Sequence, residues 1–136
     1  MTIRAIRGAT CLSADDPVEM TEAVSELMQA IVSRNGVTED DMVSILLTCT
    51  PDLVSGFPAA AVRTIGYRDV PLMCAQEMNV AGALPHVVRV MAHVDTDLAR
   101  ADIQHVYLRG AEVLRADLAS KPATDGADEP GGESAP

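Results

Sequence analysis

MCAQEMNVAGALPHVVRVM, residues 73–91, lies inside a longer run, Val70–Val94, whose 25 residues hold two formal charges, Glu77 and Arg89. The second part of this stretch, His86–Val94, has the apolar, β-branched composition of a strand, and Arg89 falls between Val88 and Val90 with mostly apolar neighbours on both faces. An unpaired ion at such a position loses roughly several kcal/mol of solvation, so Arg89 needs either an acid of the protein or an anion that arrives as ligand. Glu77 is the nearest acid in sequence. A Glu77–Arg89 pair across a sheet and a ligand site stand about level as explanations.

Outward from this stretch, Val70–Cys74 reads as a short strand before the small-residue loop AGALP, residues 81–85, and Ile103–Val113 reads as a further strand after it. Upstream, Met42–Thr50 (MVSILLTCT) is a nearly continuous apolar strand closed by Pro51 and Asp52. Phe57 and Pro58 begin a short helical piece that Gly66 can end in a left-handed conformation. A long helix precedes these, with Asp15 and Asp16 as caps, Pro17 in its first turn, Met20, Val24, Leu27, Met28 and Ile31 at helical spacing, and Asn35-Gly36 as its stop. The first strand, residues 3–12, places Ile3, Ala5, Arg7, Ala9 and Cys11 on one face, so Arg7 interrupts a small apolar row.

The order is β-α-β-β-β-β, an α+β chain with a five-stranded mixed sheet packed on one long helix. One helix covers one face of such a sheet, and the strands are too apolar for the other face to meet water. An obligate oligomer is expected. At 136 residues the chain has room for one domain, with 48% hydrophobic but only 2% aromatic residues, so its core is aliphatic. Residues 119–136 are rich in Pro, Gly and Ala, with acids among them and no large apolar side chain, and are expected to form a disordered tail.

The net charge of −10 opposes nucleic acid and anionic lipid as partners. No apolar run approaches the roughly 20 residues of a membrane helix, and a cytoplasmic location is expected. Cys11, Cys49 and Cys74 form no CxxC pair and read as reduced thiols, Cys74 as a packing residue before a nucleophile. His86, His93 and His105 lack metal-ligand spacing and read as structural, so no metal is expected; the glycines lack phosphate-loop spacing, so no nucleotide cofactor is expected either. Tyr107, in HVYL, is either a half-buried core tyrosine or a hydroxyl facing an anion. Two arginines on apolar strand faces carry more charge than one glutamate neutralises. That excess suits a carboxylate ligand.

The blocks IRAIRGAT around Arg7, TPDL at 50–53, FPAAAVR at 57–63, CAQEMNVAGAL at 74–84, RVMAHV at 89–94 and HVYLRGAEVLRADL at 105–118 resemble the monofunctional, trimeric chorismate mutases of the AroH class, in register over residues 1–118. The resemblance implies three chains forming a pseudo-α/β-barrel, with active sites in clefts between adjacent subunits. It implies the pericyclic, Claisen-type rearrangement of chorismate to prephenate in phenylalanine and tyrosine biosynthesis, without metal, cofactor or covalent intermediate. By resemblance Arg89 stands beside the breaking ether oxygen and touches the side-chain carboxylate, which Arg7 and Tyr107 hold. Glu77 and the backbone near Cys74 take the ring hydroxyl, Phe57 and Leu114 form apolar wall, and Arg63 and Arg115 add positive potential at the mouth. The chain departs from the pattern at Ala60, Met73 and Ala116, where members often carry lysine, threonine and proline. Met73 is therefore a substrate-binding position with an altered side chain, and residues after about Val113 are expected to close over ligand. A trimeric imine or enamine deaminase and a non-catalytic carboxylate-binding module are the alternatives.

Overall fold

The computed structural model describes residues 2–115. The expected tail therefore lies outside the described residues. Five strands, β1 (Thr2–Cys11), β2 (Met42–Cys49), β3 (Leu72–Gln76), β4 (Val87–Thr96) and β5 (Val106–Tyr107), form one sheet in the order β3-β2-β4-β1-β5. β4 runs antiparallel to both β1 and β2, while β3 and β5 are parallel to their neighbours β2 and β1. The sheet is mixed, and the α+β class expected from the sequence is correct.

Helix α1 (Pro17–Asn35) forms where its caps dictate: the Asp16 carboxylate accepts the Glu19 N–H at 2.8 Å, and Gly36 ends the helix with φ 62°. Its buried side, Met20, Ala23, Val24, Leu27, Met28 and Ile31, packs on the sheet. A second, shorter helix, α2 (Pro58–Thr64), lies beside α1 in the same layer. Val88, Val90, Ala92 and Val94 of β4 join this core, which places Arg89, Met91 and His93 on the opposite face by strand alternation. Arg7 shares that face, because Ile6 and Gly8 turn toward α1.

No α-helix among the described residues covers the second face; the short 3-10 segment Ala111–Arg115 packs on it at Ala9 and Val87 and leaves the rest bare. That face exposes Ile3 (53%), Leu46 (38%) and Met73 (68%), too much apolar strand surface in one place for water to be its natural neighbour.

Two boundaries differ from the sequence reading. β3 is shifted to Leu72–Gln76, and the long fifth strand shrinks to Val106–Tyr107. After Tyr107 the chain reverses through a turn closed by Ala111 N–H to Leu108 C=O (3.0 Å), with positive φ at Arg109 (54°) and Gly110 (95°), and then enters a short 3-10 segment, Ala111–Arg115. The apolar alternation that suggested a strand continues into this segment, where Ala111 is buried against Ala9 and Val87.

Gly8 lies where α1 packs tightly on the sheet. A Cβ there would lie 3.0 Å from Ile31 Cδ1, 3.1 Å from Leu27 Cδ1 and 3.2 Å from the Val106 carbonyl oxygen. Gly8→Ala is expected to destabilise the protein by about 1–3 kcal/mol through overpacking. Urea denaturation checks this; an unchanged midpoint would show that the helix simply lifts away at no cost.

Candidate active site

One ladder row across the uncovered face positions the candidate residues. Tyr107 of β5 pairs with Ala9 of β1, Ala9 with Arg89 of β4, and Arg89 with Thr48 of β2. Arg7 stands two residues from Ala9, on the same side. Ala9 is small and fully buried beneath Ala111, so the two arginines and Tyr107 stand around the point where the chain after β5 folds back onto this face.

Glu77 follows β3 directly, and its N–H donates to the Cys49 carbonyl at 2.9 Å, which fixes its backbone beside the end of β2. The Thr48 hydroxyl donates to Glu77 Oε2 at 2.5 Å, and the same oxygen lies 3.1 Å from Arg89 Nε. The Arg89 contact is close enough for an ion pair, but Nε does not point along a hydrogen-bond line, so the pair is electrostatic at this atom. The cross-sheet pair anticipated from the sequence therefore forms. It does not absorb Arg7, whose buried Nε has no hydrogen-bond partner among the described residues. Arg7, Arg89 and Glu77 together keep a formal charge of +1, the excess that an anion could meet.

Tyr107 and Leu114 pack against Ala9, Val87 and Ala111, forming an apolar border at the β5 edge of this cluster. The side chain of Arg115 lies outside the described residues. One participant was not visible in the sequence. Thr48 was lost in an apolar run, and only its cross-strand register with Arg89 exposes it. His105, read from the sequence as structural, accepts the Arg7 backbone N–H at Nδ1 (2.9 Å), tying the middle of β1 to the chain just before β5 begins.

The other candidates do not join this cluster within one chain. Phe57 and Cys74 line a separate groove of about 400 Å³, together with Cys49, Leu53, Ala75 and Gln76. Arg63, on α2, and Met73, on β3, are exposed. The groove belongs to the β3 and α2 edge of the sheet, while Arg7 and Tyr107 belong to the β1 and β5 edge.

Asp15 holds the groove's loop wall by accepting the Val54 and Ser55 N–H groups, both at 3.1 Å. The Ser55 hydroxyl first, then the Ser55 and Val54 N–H groups with His86 nearby, keep its carboxyl below the usual range against the opposing effect of desolvation. Asp52 loses some solvation. Its bonds from the Thr50 hydroxyl and the His86 N–H nonetheless hold its carboxyl below the usual range. His93 meets Ser44 at 3.3 Å, so each of the three histidines has a structural partner.

Burial, with Cys74 and Glu77 adding negative potential, pushes the Cys49 thiol up to about 12. It remains a protonated packing group near neutral pH, whereas Cys74 is exposed in the same groove. Iodoacetamide at about pH 8 is expected to alkylate Cys74 and spare Cys49. Peptide mass spectrometry reads the outcome, and equal labelling of the two would contradict it.

Comparison with known proteins bears on this arrangement. The family model "Chorismate mutase type I" matches residues 3–118. A Bacillus subtilis protein named Chorismate mutase AroH is 44% identical over 119 residues, covering 87% of this chain and 94% of that protein. A Thermus thermophilus protein of the same name is 42% identical, covering 87% and 98%. A solved structure described as a chorismate mutase from Clostridium thermocellum superposes with a TM-score of 0.80 at 45% identity, covering 82% of this chain and 99% of that one.

Proposed function

The chain belongs to the type I chorismate mutase family, and from that premise we infer that it isomerises chorismate to prephenate in a site completed between adjacent subunits of a homotrimer. The observation that carries this reading is the placement of Arg7 and Arg89 on one uncovered sheet face with a single glutamate between them and the β3 edge. The family match favours it over the deaminase and the anion-binding module. The aromatic amino acid pathway follows from the reaction.

Chorismate is a dianion whose two unsaturated arms must be folded together before the new carbon–carbon bond forms and the ether bond breaks. Arg7 and Tyr107 grip the side-chain carboxylate, and Arg89 stands where the ether oxygen gains negative charge. Glu77, already oriented by Thr48 and Arg89, accepts the ring hydroxyl and faces the ring as it becomes positive. Thr48 is thus the residue that keeps Glu77 aimed when Arg89 turns to substrate. Phe57, Met73, Cys74 and Arg63 come from the neighbouring chain. With them, Leu114 closes the wall and Arg115 adds charge at the mouth. Arg63 and Arg115 partly replace the cation missing at Ala60.

Magnitudes set the division of labour. Even modest enzymatic acceleration requires about 8 kcal/mol, and one preorganised charge contact contributes on the order of 3–4 kcal/mol. Holding the compact conformer contributes the rest, since orientation alone reaches roughly 7 kcal/mol in well-fixed systems. The uncovered apolar face supports the trimer: Ile3, Leu46 and Met73 gain a dry partner there. Three free thiols suit a reducing, cytoplasmic location.

The test is the decay of chorismate ultraviolet absorbance on adding the purified protein, with prephenate as sole product. Ammonia release, or no decay, would overturn the reading.

A further inference from the structure

We propose that Arg109 is a positioning residue: its guanidinium, anchored to Glu26 and Glu19 of α1, fixes the turn that delivers Tyr107 to substrate. The proposal rests on the reading of Tyr107 as a carboxylate ligand. It concerns what holds that ligand in place.

β5 is two residues long and lies at the sheet edge, so its ladder with β1 constrains it little. The Leu108 N–H to Ala9 C=O bond, at 2.9 Å, continues the pairing one residue beyond Tyr107. The reversal that follows has positive φ at both central residues, the combination of a type I′ turn. Gly110 takes its position without penalty. Arg109 does not, because a left-handed conformation costs a residue with a Cβ roughly 1–2 kcal/mol.

Such strain persists where the surroundings over-determine it. Arg109 Nε donates to Glu26 Oε1 at 2.8 Å, and Nη1 lies 4.0 Å from Glu19 Oε2. Glu19 and Glu26 are separated by two helical turns and lie along one edge of α1. Glu19 is itself fixed, since its carboxylate accepts the Ser13 N–H at 2.7 Å and the Ser13 hydroxyl at 2.9 Å. The guanidinium therefore bonds Glu26 and reaches toward a Glu19 already held in place, and its own backbone accepts an unfavourable conformation to do so.

Stability does not explain this arrangement. Partly exposed ion pairs contribute about 0–1 kcal/mol, no more than the strain they accompany. What the fork does determine is the direction in which the chain leaves β5, two residues after Tyr107 and five before Leu114. A shift of Tyr107 weakens the grip on the carboxylate without touching the charge beside the ether oxygen.

The test uses the full-length protein and steady-state kinetics with chorismate. Arg109→Asn keeps a residue that tolerates the left-handed conformation and removes the fork. It is expected to raise KM about five-fold, the equivalent of roughly 1 kcal/mol, while kcat changes less than about two-fold. Glu26→Ala, which leaves the turn untouched, is expected to do the same to a smaller extent and guards against a folding defect in the first variant. In a Tyr107→Phe background the effect of Arg109→Asn should largely vanish, because both act on one contact. An unchanged KM in Arg109→Asn and Glu26→Ala, or effects that simply add to those of Tyr107→Phe, would overturn the proposal while leaving the site reading intact. A silent Tyr107→Phe would instead remove the site reading on which it rests.

Discussion

Arg89→Ala is expected to lower kcat by at least about 10², the usual consequence of deleting one preorganised donor from a transition state. Two effects act together. In the proposed site the developing charge on the ether oxygen loses its cation, and the Glu77 carboxylate, only 18% exposed, loses the ion-pair partner 3.1 Å away. A poorly solvated carboxylate without a counter-ion then repels the dianionic substrate. Arg89→Lys restores a point charge but not the planar fork, and is expected to recover only part of the loss. The fold should survive, because Arg89 faces away from the layer where Val88 and Val90 meet α1. Circular dichroism alongside kinetics separates the two. A folded Arg89→Ala protein within about five-fold of the parent would mean that Arg89 is a structural partner of Glu77 and nothing more.

Strand alternation carried most of what the sequence could say. Once residues 3–12 and 86–94 are strands, parity puts Arg7 into a row of small apolar residues and Arg89 among apolar neighbours, where each charge stands out, and the register Arg7↔Met91 and Ala9↔Arg89 brings the two together on one face. The caps of α1 were equally legible, because Asp16, Pro17 and Gly36 act locally. The fifth strand was not. Arg109-Gly110 makes a turn whose first position ordinarily takes Asn, Asp or Gly, so nothing in the residue types announced it.

Thr48 was hidden for a related reason: in TCT it is one more strand former, and its importance arises only when Glu77, 29 residues later, folds back against it. The same non-locality hides which candidates share an edge of the sheet. Phe57 and Cys74 sit with the groove at one edge of the sheet and Tyr107 at the other, a separation that depends on strand order and not on any motif.

That separation makes a strong demand. If each site takes Arg7, Glu77, Arg89 and Tyr107 from one chain and Phe57, Arg63 and Cys74 from the next, two variants that are each inactive should rescue one another. Arg89→Ala disables the first set. Arg63→Glu disables the second, by turning the mouth's positive potential against a dianion. Co-expressed and assembled at random in a closed ring, the two chains leave each half-site intact with even odds, so about a quarter of the sites should be wholly native. Activity should rise from about 1% for Arg89→Ala alone to about 25% of the parent, a gain that no mixture of self-contained monomers could produce. Differential tags allow the mixed trimers to be purified, in which about one site in three is native because every two-to-one ring holds a single native junction, and their turnover to be compared with the same proteins mixed after folding. Were the purified hetero-oligomer no more active than the average of its parents, each chain would have to hold its own complete site. The uncovered face with Ile3, Leu46 and Met73 would then need a different occupant, since covering it would no longer be part of building the catalytic centre.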